Sequence, residues 1–234
     1  MVFGAVGLLC IAWAFVSLTR SEYLSALVVS AFAVFTFGMI AMMTIVTARR
    51  VTARVEYDDA GTTFRPDRKV DGLLMVSTIA AFVAMALYSI CTPLGLLNIP
   101  VPPGNRQYLV FACVAGVLVG LVSLRQILRQ RGMSHLRLTV DGVETGTALS
   151  STDRFWEDVS AVADRPPNGR HTKKSGTTYI MTADGRTRTL PSDWYTPGGD
   201  ALRKLVRIYW QHPEYRDELT DGRAVERLRT GFWP

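Results

Sequence analysis

YLSALVVSAFAVFTFGMIAMMTIVTA, residues 23–48, runs from Tyr23 to Ala48 without one Asp, Glu, Lys or Arg. A helix needs about 20 apolar residues to cross a hydrocarbon core ~30 Å thick. Lipid offers backbone polar groups no partner, so such a stretch closes its hydrogen bonds on itself as a helix. Residues 23–48 are therefore expected to span a membrane. Three further blocks read the same way: Met1 to Leu18, Leu73 to about Leu97, and Tyr108 to Leu124 or a little beyond. The chain is thus read as four transmembrane helices, two in residues 1–48 and two in 73–128. A basic link, 49–72, separates the pairs, and a tail, 133–234, follows them. Ala12 and Ala14 form a weak cleavage pattern, but no basic residue precedes the first apolar run, which argues against a signal peptide.

Charge is placed as unevenly as hydropathy. Of 26 Lys+Arg and 20 Asp+Glu, residues 1–132 hold 11 and 6, leaving 15 and 14 for the rest. Of the net +6, then, +5 belongs to the membrane half, and a soluble nucleic-acid binder would carry its excess elsewhere. Nucleic acid is not expected as a partner. Arg49, Arg50, Arg54, Arg65, Arg68 and Lys69 lie in the link, and Arg125, Arg129 and Arg131 follow the fourth span. The other two connections hold one basic residue each, Arg20 and Arg106. The basic side is the cytoplasmic one. The expected placement is an inner (plasma) membrane, with both termini and the tail cytoplasmic.

The spans hold no ionisable residue in their apolar centres, so no ion or proton path is read there. Cys10, Cys91 and Cys113 are too few and too scattered for a metal site or a disulfide framework. Pro93 is placed to end the third helix. Gly116 and Gly120 form a GxxxG that lets another helix approach, within the chain or in a second copy.

The link has internal order. Val51, Ala53, Val55 and Tyr57 alternate with polar residues, Asp58-Asp59-Ala60-Gly61 is turn chemistry, and Thr62 to Arg65 resume an extended pattern. That is a β-hairpin, too small to stand alone in water, so it must dock on something. In the tail, Leu136, Leu138 and Val140 lead into Asp141-Gly142, a second hairpin signal. Further extended segments are read around Arg154–Trp156, Val159–Val162, Thr177–Thr182 and Arg186–Leu190. The period then changes. Leu202, Leu205, Val206 and Tyr209 share one helical face, with Asp200 as the expected N-cap and Pro213 as the stop. Residues 214–229 read as a short charged helix whose Arg/Glu alternation faces solvent.

About six antiparallel strands closed by a helix resemble the pleckstrin-homology-like (PH-like) fold. Asp141-Gly142 followed by Trp156-Glu157-Asp158-Val159 looks like the "dG…WedI" pattern of bacterial PH-like domains. His212-Pro213, Arg216, Glu218 and Leu219 look like the "hP..R.eL" ending of actinobacterial multi-pass membrane proteins that carry this domain. The resemblance implies a small α+β domain, a partly open barrel with a C-terminal helix, and no reaction. A full barrel of this kind has seven strands, and the hairpin at 51–66 is placed to supply the missing pairing.

Candidate chemistry is sparse. His135, His171 and His212 are scattered, no Ser sits in G-x-S-x-G, and Thr196-Pro197-Gly198-Gly199 lacks the lysine of a phosphate loop. Metal, cofactor and catalytic residues are not expected, and the chain is read as a non-enzyme. The sharpest functional feature is the basic loop Arg165, Arg170, His171, Lys173 and Lys174, on a domain tethered to an anionic leaflet. Arg165, Arg170, Lys173 and Lys174 are the expected contacts to anionic lipid headgroups or to a protein partner. Phe232-Trp233 either dips into the interface or packs on the domain. Two readings follow. In one, the tail is a membrane-anchored interaction module. In the other, the chain is an accessory subunit of a larger envelope complex, or a homo-oligomer, held through its helices.

Overall fold

The computed structural model describes residues 2–130, 132–166 and 176–231. The chain divides into two compact units, and the division is not at one point in the sequence. The first unit is Met1–Met43 with Gly72–Arg129, and the second is Thr44–Asp71 with Gln130–Pro234.

The first unit is helical. It holds α1 (Val2–Thr19) and most of α2 (Tyr23–Thr47), α3 (Arg68–Cys91) and α4 (Pro103–Gln130). α2, α3 and α4 are long and apolar enough to cross a membrane, and α1 is a shorter apolar helix that falls below that length. α3 begins earlier than its apolar run because Arg68–Asp71 form a polar first turn. It ends at Cys91, two residues before Pro93, whose ring cannot continue a helix. Small residues set the packing between neighbours in sequence. Gly7 faces Thr36 and Phe37 of α2, Gly38 faces Ser77 of α3, and Gly116 and Gly120 face Met85 and Phe82 of α3. Asn98 ties the connection after α3 to the start of the chain. Its amide donates to Ser25 Oγ, its side chain to Glu22, and its carbonyl accepts the Trp13 indole N–H.

The second unit carries the sheets. β1 (Arg54–Asp58) and β2 (Gly61–Arg65) are the hairpin of the link, and β3 (Ser134–Leu138), β4 (Gly142–Thr147) and β5 (Ser151–Phe155) come from the tail. All five form one antiparallel sheet in the order β1-β2-β3-β4-β5. The hairpin docks by pairing Thr62, Thr63 and Phe64 with Leu138, Arg137 and Leu136. Gly61, at φ +148°, makes that approach possible, since a Cβ there would run into the Leu138 carbonyl. A 3₁₀ turn, Trp156–Asp158, leads to a second sheet of β6 (Val159–Ala163), β7 (Thr178–Thr182) and β8 (Thr187–Leu190). Among the described residues the tail thus supplies six strands and the hairpin two more, the two sheets stay separate and no barrel closes.

Alternation along the strands puts Phe64, Leu136, Leu138 and Val143 of the first sheet into one core with Val162 and Ile180 of the second. α5 (Asp200–Gln211) lays Leu202, Leu205, Val206 and Tyr209 on it, all fully buried. Its N-cap is Gly199, at φ +76°, and Asp200 is the first helical residue rather than the cap. Burying a side chain such as Phe64 contributes about 1.5–3 kcal/mol, so the link is a structural part of this unit and not a tether. Beyond α5, a 3₁₀ segment (Pro213–Leu219) and α6 (Arg223–Thr230) complete the chain.

Candidate functional site

Asp141, Trp156 and Arg216, singled out in the sequence, meet in space. The Trp156 amide donates to the Asp141 carbonyl (3.0 Å) and its indole N–H to the Thr139 carbonyl (2.9 Å). Gly142 lies so close to β5 that a Cβ would strike the Arg154 carbonyl. Trp156 is buried in the core, while Glu157 and Asp158 are exposed. Arg216 stacks its guanidinium over the Trp156 ring (5.3 Å to the centroid) and donates to the Tyr209 carbonyl (2.9 Å). Glu218, also buried, is ion-paired and hydrogen-bonded to Arg227 of α6 and accepts the Tyr209 hydroxyl. Burial, with the Glu218 carboxylate beside it, pushes that hydroxyl well above the usual tyrosine range. The charged alternation of residues 214–229 is therefore not simply a solvated face, because Glu218 and Arg227 clamp α6 to α5.

Two carbonyls of β6 are also taken. Trp210 Nε1 donates to Val159 and Arg207 to Val162, both at 2.8 Å. α5 thus occupies part of β6, whereas β5 ends its sheet with Phe155 exposed.

A second polar cluster forms where the link leaves α2 and enters α3. Asp67 Oδ2 accepts both the amide and the hydroxyl of Thr52 (2.9 Å each), and Oδ1 accepts the Lys69 amide (2.7 Å). Burial raises its pKa, but these hydrogen bonds outweigh burial and hold the carboxyl below the ordinary aspartate range. One turn on, Asp71 pairs with Arg54 (2.8 Å) and accepts the Met133 amide (2.9 Å), and Arg65 donates to the Gln130 carbonyl (3.0 Å). The two strands of the link, the first turn of α3 and the start of the tail are locked together.

Of the expected contact residues, Arg165 is exposed just after β6. Arg170, Lys173 and Lys174 lie outside the described residues, as do His171 and Phe232-Trp233. Gly116 and Gly120 are occupied by α3 of the same chain, the intrachain alternative for that motif. His135 is not a surface group, since its side chain is 12% exposed and bonded to Glu144 (3.2 Å). Burial opposes the ionised form of Glu144, yet hydrogen bonds from His135 and Ser151 hold its pKa down. His212 pairs with Glu214 at the end of α5. The chain was compared with family models, curated proteins and solved structures. Nothing matches. The site is therefore argued from this chain alone.

Sequence reasoning saw Thr52 and Arg54 only as part of the hairpin pattern and the basic link, and missed Asp67 and Asp71. Their only signal was a run of mixed polar residues between two apolar helices, which fits many loops. Arg216 and Glu218 were seen as pattern, without the contacts that explain them.

Proposed function

We propose that this protein is a multi-pass membrane protein whose cytoplasmic, PH-like domain binds a protein partner or anionic lipid headgroups. In this reading all four helices cross the membrane, α1 included, both termini are cytoplasmic, and the helices act as the anchor. One observation carries it. The link and the tail build a single unit, in which Asp67 accepts from Thr52, Asp71 from Met133, and Arg65 donates to Gln130. A folded domain built from both the link and the tail suits a docking platform better than a free tail. The pairing of Gly116 and Gly120 with α3 weighs against the accessory-subunit reading, in which that face would be given to another chain.

The test is a native pull-down of the full chain, tagged at its C-terminus and extracted in mild detergent. The binding-module reading expects a stoichiometric partner that is lost on charge reversal at Arg165, Arg170, Lys173 and Lys174. Loss on Gly120→Leu with the domain intact, and none on charge reversal, would favour the subunit reading instead.

A further inference from the structure

We propose that Arg49, Arg50, Arg68 and Lys69 form a binding surface for the headgroups of anionic phospholipids in the leaflet from which α2 and α3 emerge. This rests on the membrane reading above and assigns the headgroup contact to a different place from the basic loop. Arg49-Arg50 and Arg68-Lys69 are far apart in sequence, separated by the whole hairpin. The fold reunites them, because Thr52 and Asp67 are hydrogen-bonded across the base of that hairpin. All four side chains are exposed, and among the described residues none is ion-paired. Other arginines of this unit are committed: Arg54 to Asp71, Arg137 to Asp58, Arg203 to Asp200 and Arg227 to Glu218. Lys69 is attracted to Asp67, but among the described residues no salt bridge closes on any of the four, so most of the charge at the base of the hairpin is left for something outside the chain.

Position says what that is. The apolar run of α2 ends at Ala48, and that of α3 resumes at Leu73, so the four cations flank the two places where hydrocarbon gives way to water. Phosphate is the anion that lies there in bulk. Arg49 adds a second argument. The helix closes with Arg49 N–H to Val46 (3.0 Å) and Arg50 N–H to Ile45 (3.2 Å), which leaves Arg49 at φ +54°. Glycine is the residue that adopts this conformation without cost. Arg49, like Ser21 after α1, adopts it without being glycine, and its guanidinium rests against the turn before α5, 3.6 Å from where a Cβ of Gly198 would be.

The test uses full-length protein in mild detergent, titrated with phosphatidylglycerol or phosphatidylcholine, with bound lipids counted by native mass spectrometry. The wild type should prefer phosphatidylglycerol. Arg49→Gly should weaken that preference by about fivefold, the worth of one basic residue at an anionic surface. Its unfolding temperature without lipid should not fall, since glycine relieves the backbone. Arg49→Gly/Arg50→Gln/Arg68→Gln/Lys69→Gln should abolish the preference, and Arg165→Gln/Arg170→Gln/Lys173→Gln/Lys174→Gln should leave it. If the first quadruple variant keeps the preference and the second loses it, this surface is overturned while the module reading stands. If the wild type has no preference, the proposal falls together with the lipid form of that reading, and the pull-down alone decides for a protein partner.

Discussion

Arg216 lies over the ring of Trp156, 5.3 Å from its centroid, while its Nε donates to the backbone of Tyr209 at 2.9 Å. One side chain thereby joins the turn between the two sheets to the end of the helix that covers them. A lysine can place a charge over the indole but cannot also present a planar donor to the helix end. Arg216→Lys should therefore cost about 1–2 kcal/mol and Arg216→Ala about 2–3 kcal/mol of stability, read as a lowered unfolding temperature of the full chain in detergent.

Glu218 and Arg227 are 10% and 13% exposed, and Glu218 also holds the Tyr209 hydroxyl. Removing one partner leaves a charge with little water to replace it, at a cost of about 3–5 kcal/mol. Replacing both with leucine removes the stranded charge. Chemical denaturation should find Glu218→Leu/Arg227→Leu more stable than Arg227→Leu alone.

Asp67 has a lowered pKa in the folded chain, so it binds fewer protons folded than unfolded near pH 4. Its contribution is then complete above the unfolded value, ~3.9, and is lost as pH falls through the lower folded value. Asp67→Asn should reduce the unfolding temperature at pH 7, and the gap to wild type should close as pH drops below about 4. A gap that stays constant down to pH 3 would mean that the Thr52 and Lys69 hydrogen bonds do not depend on the ionised carboxylate.

Gly120 is filled by Phe82 of the same chain. Gly120→Leu should push α4 from α3 and destabilise the monomer by about 1–3 kcal/mol, as overpacking does. Size-exclusion chromatography with light scattering would show an unchanged oligomeric state beside the lowered unfolding temperature.

How much of this was legible in the sequence depends on the range of the interaction. α2 announces itself in composition, because a bilayer-length apolar run has few other uses. The link hairpin and α5 are written in local period, two for Val55 and Tyr57, near 3.6 for Leu202, Leu205 and Tyr209. The start of α3 is not legible in apolarity, which marks where hydrocarbon begins, whereas Asp67 and Asp71 let this helix start among polar residues. The hairpin's need for a dock was readable, and its register on β3 was not, because pairing Phe64 with Leu136 joins segments separated by two whole helices. Arg227 looked like surface for a different reason: Glu218 is only nine residues away, but the turn that brings it opposite leaves no mark in the local period. At the proposed headgroup surface the charges were visible one by one, while Arg49's backbone conformation and the crossing of Thr52 with Asp67 were not.

The central claim is that the link and the tail are one domain interrupted by a pair of helices. Hydrogen exchange on the full chain in nanodiscs tests it directly, by following the amides of residues 61–65 and 134–138. Both segments should be strongly protected, and Phe64→Asp should expose both together, since Phe64 is fully buried in the core they share. Residues 61–65 exchanging as fast as a free loop, or losing protection while 134–138 keep theirs, would contradict it.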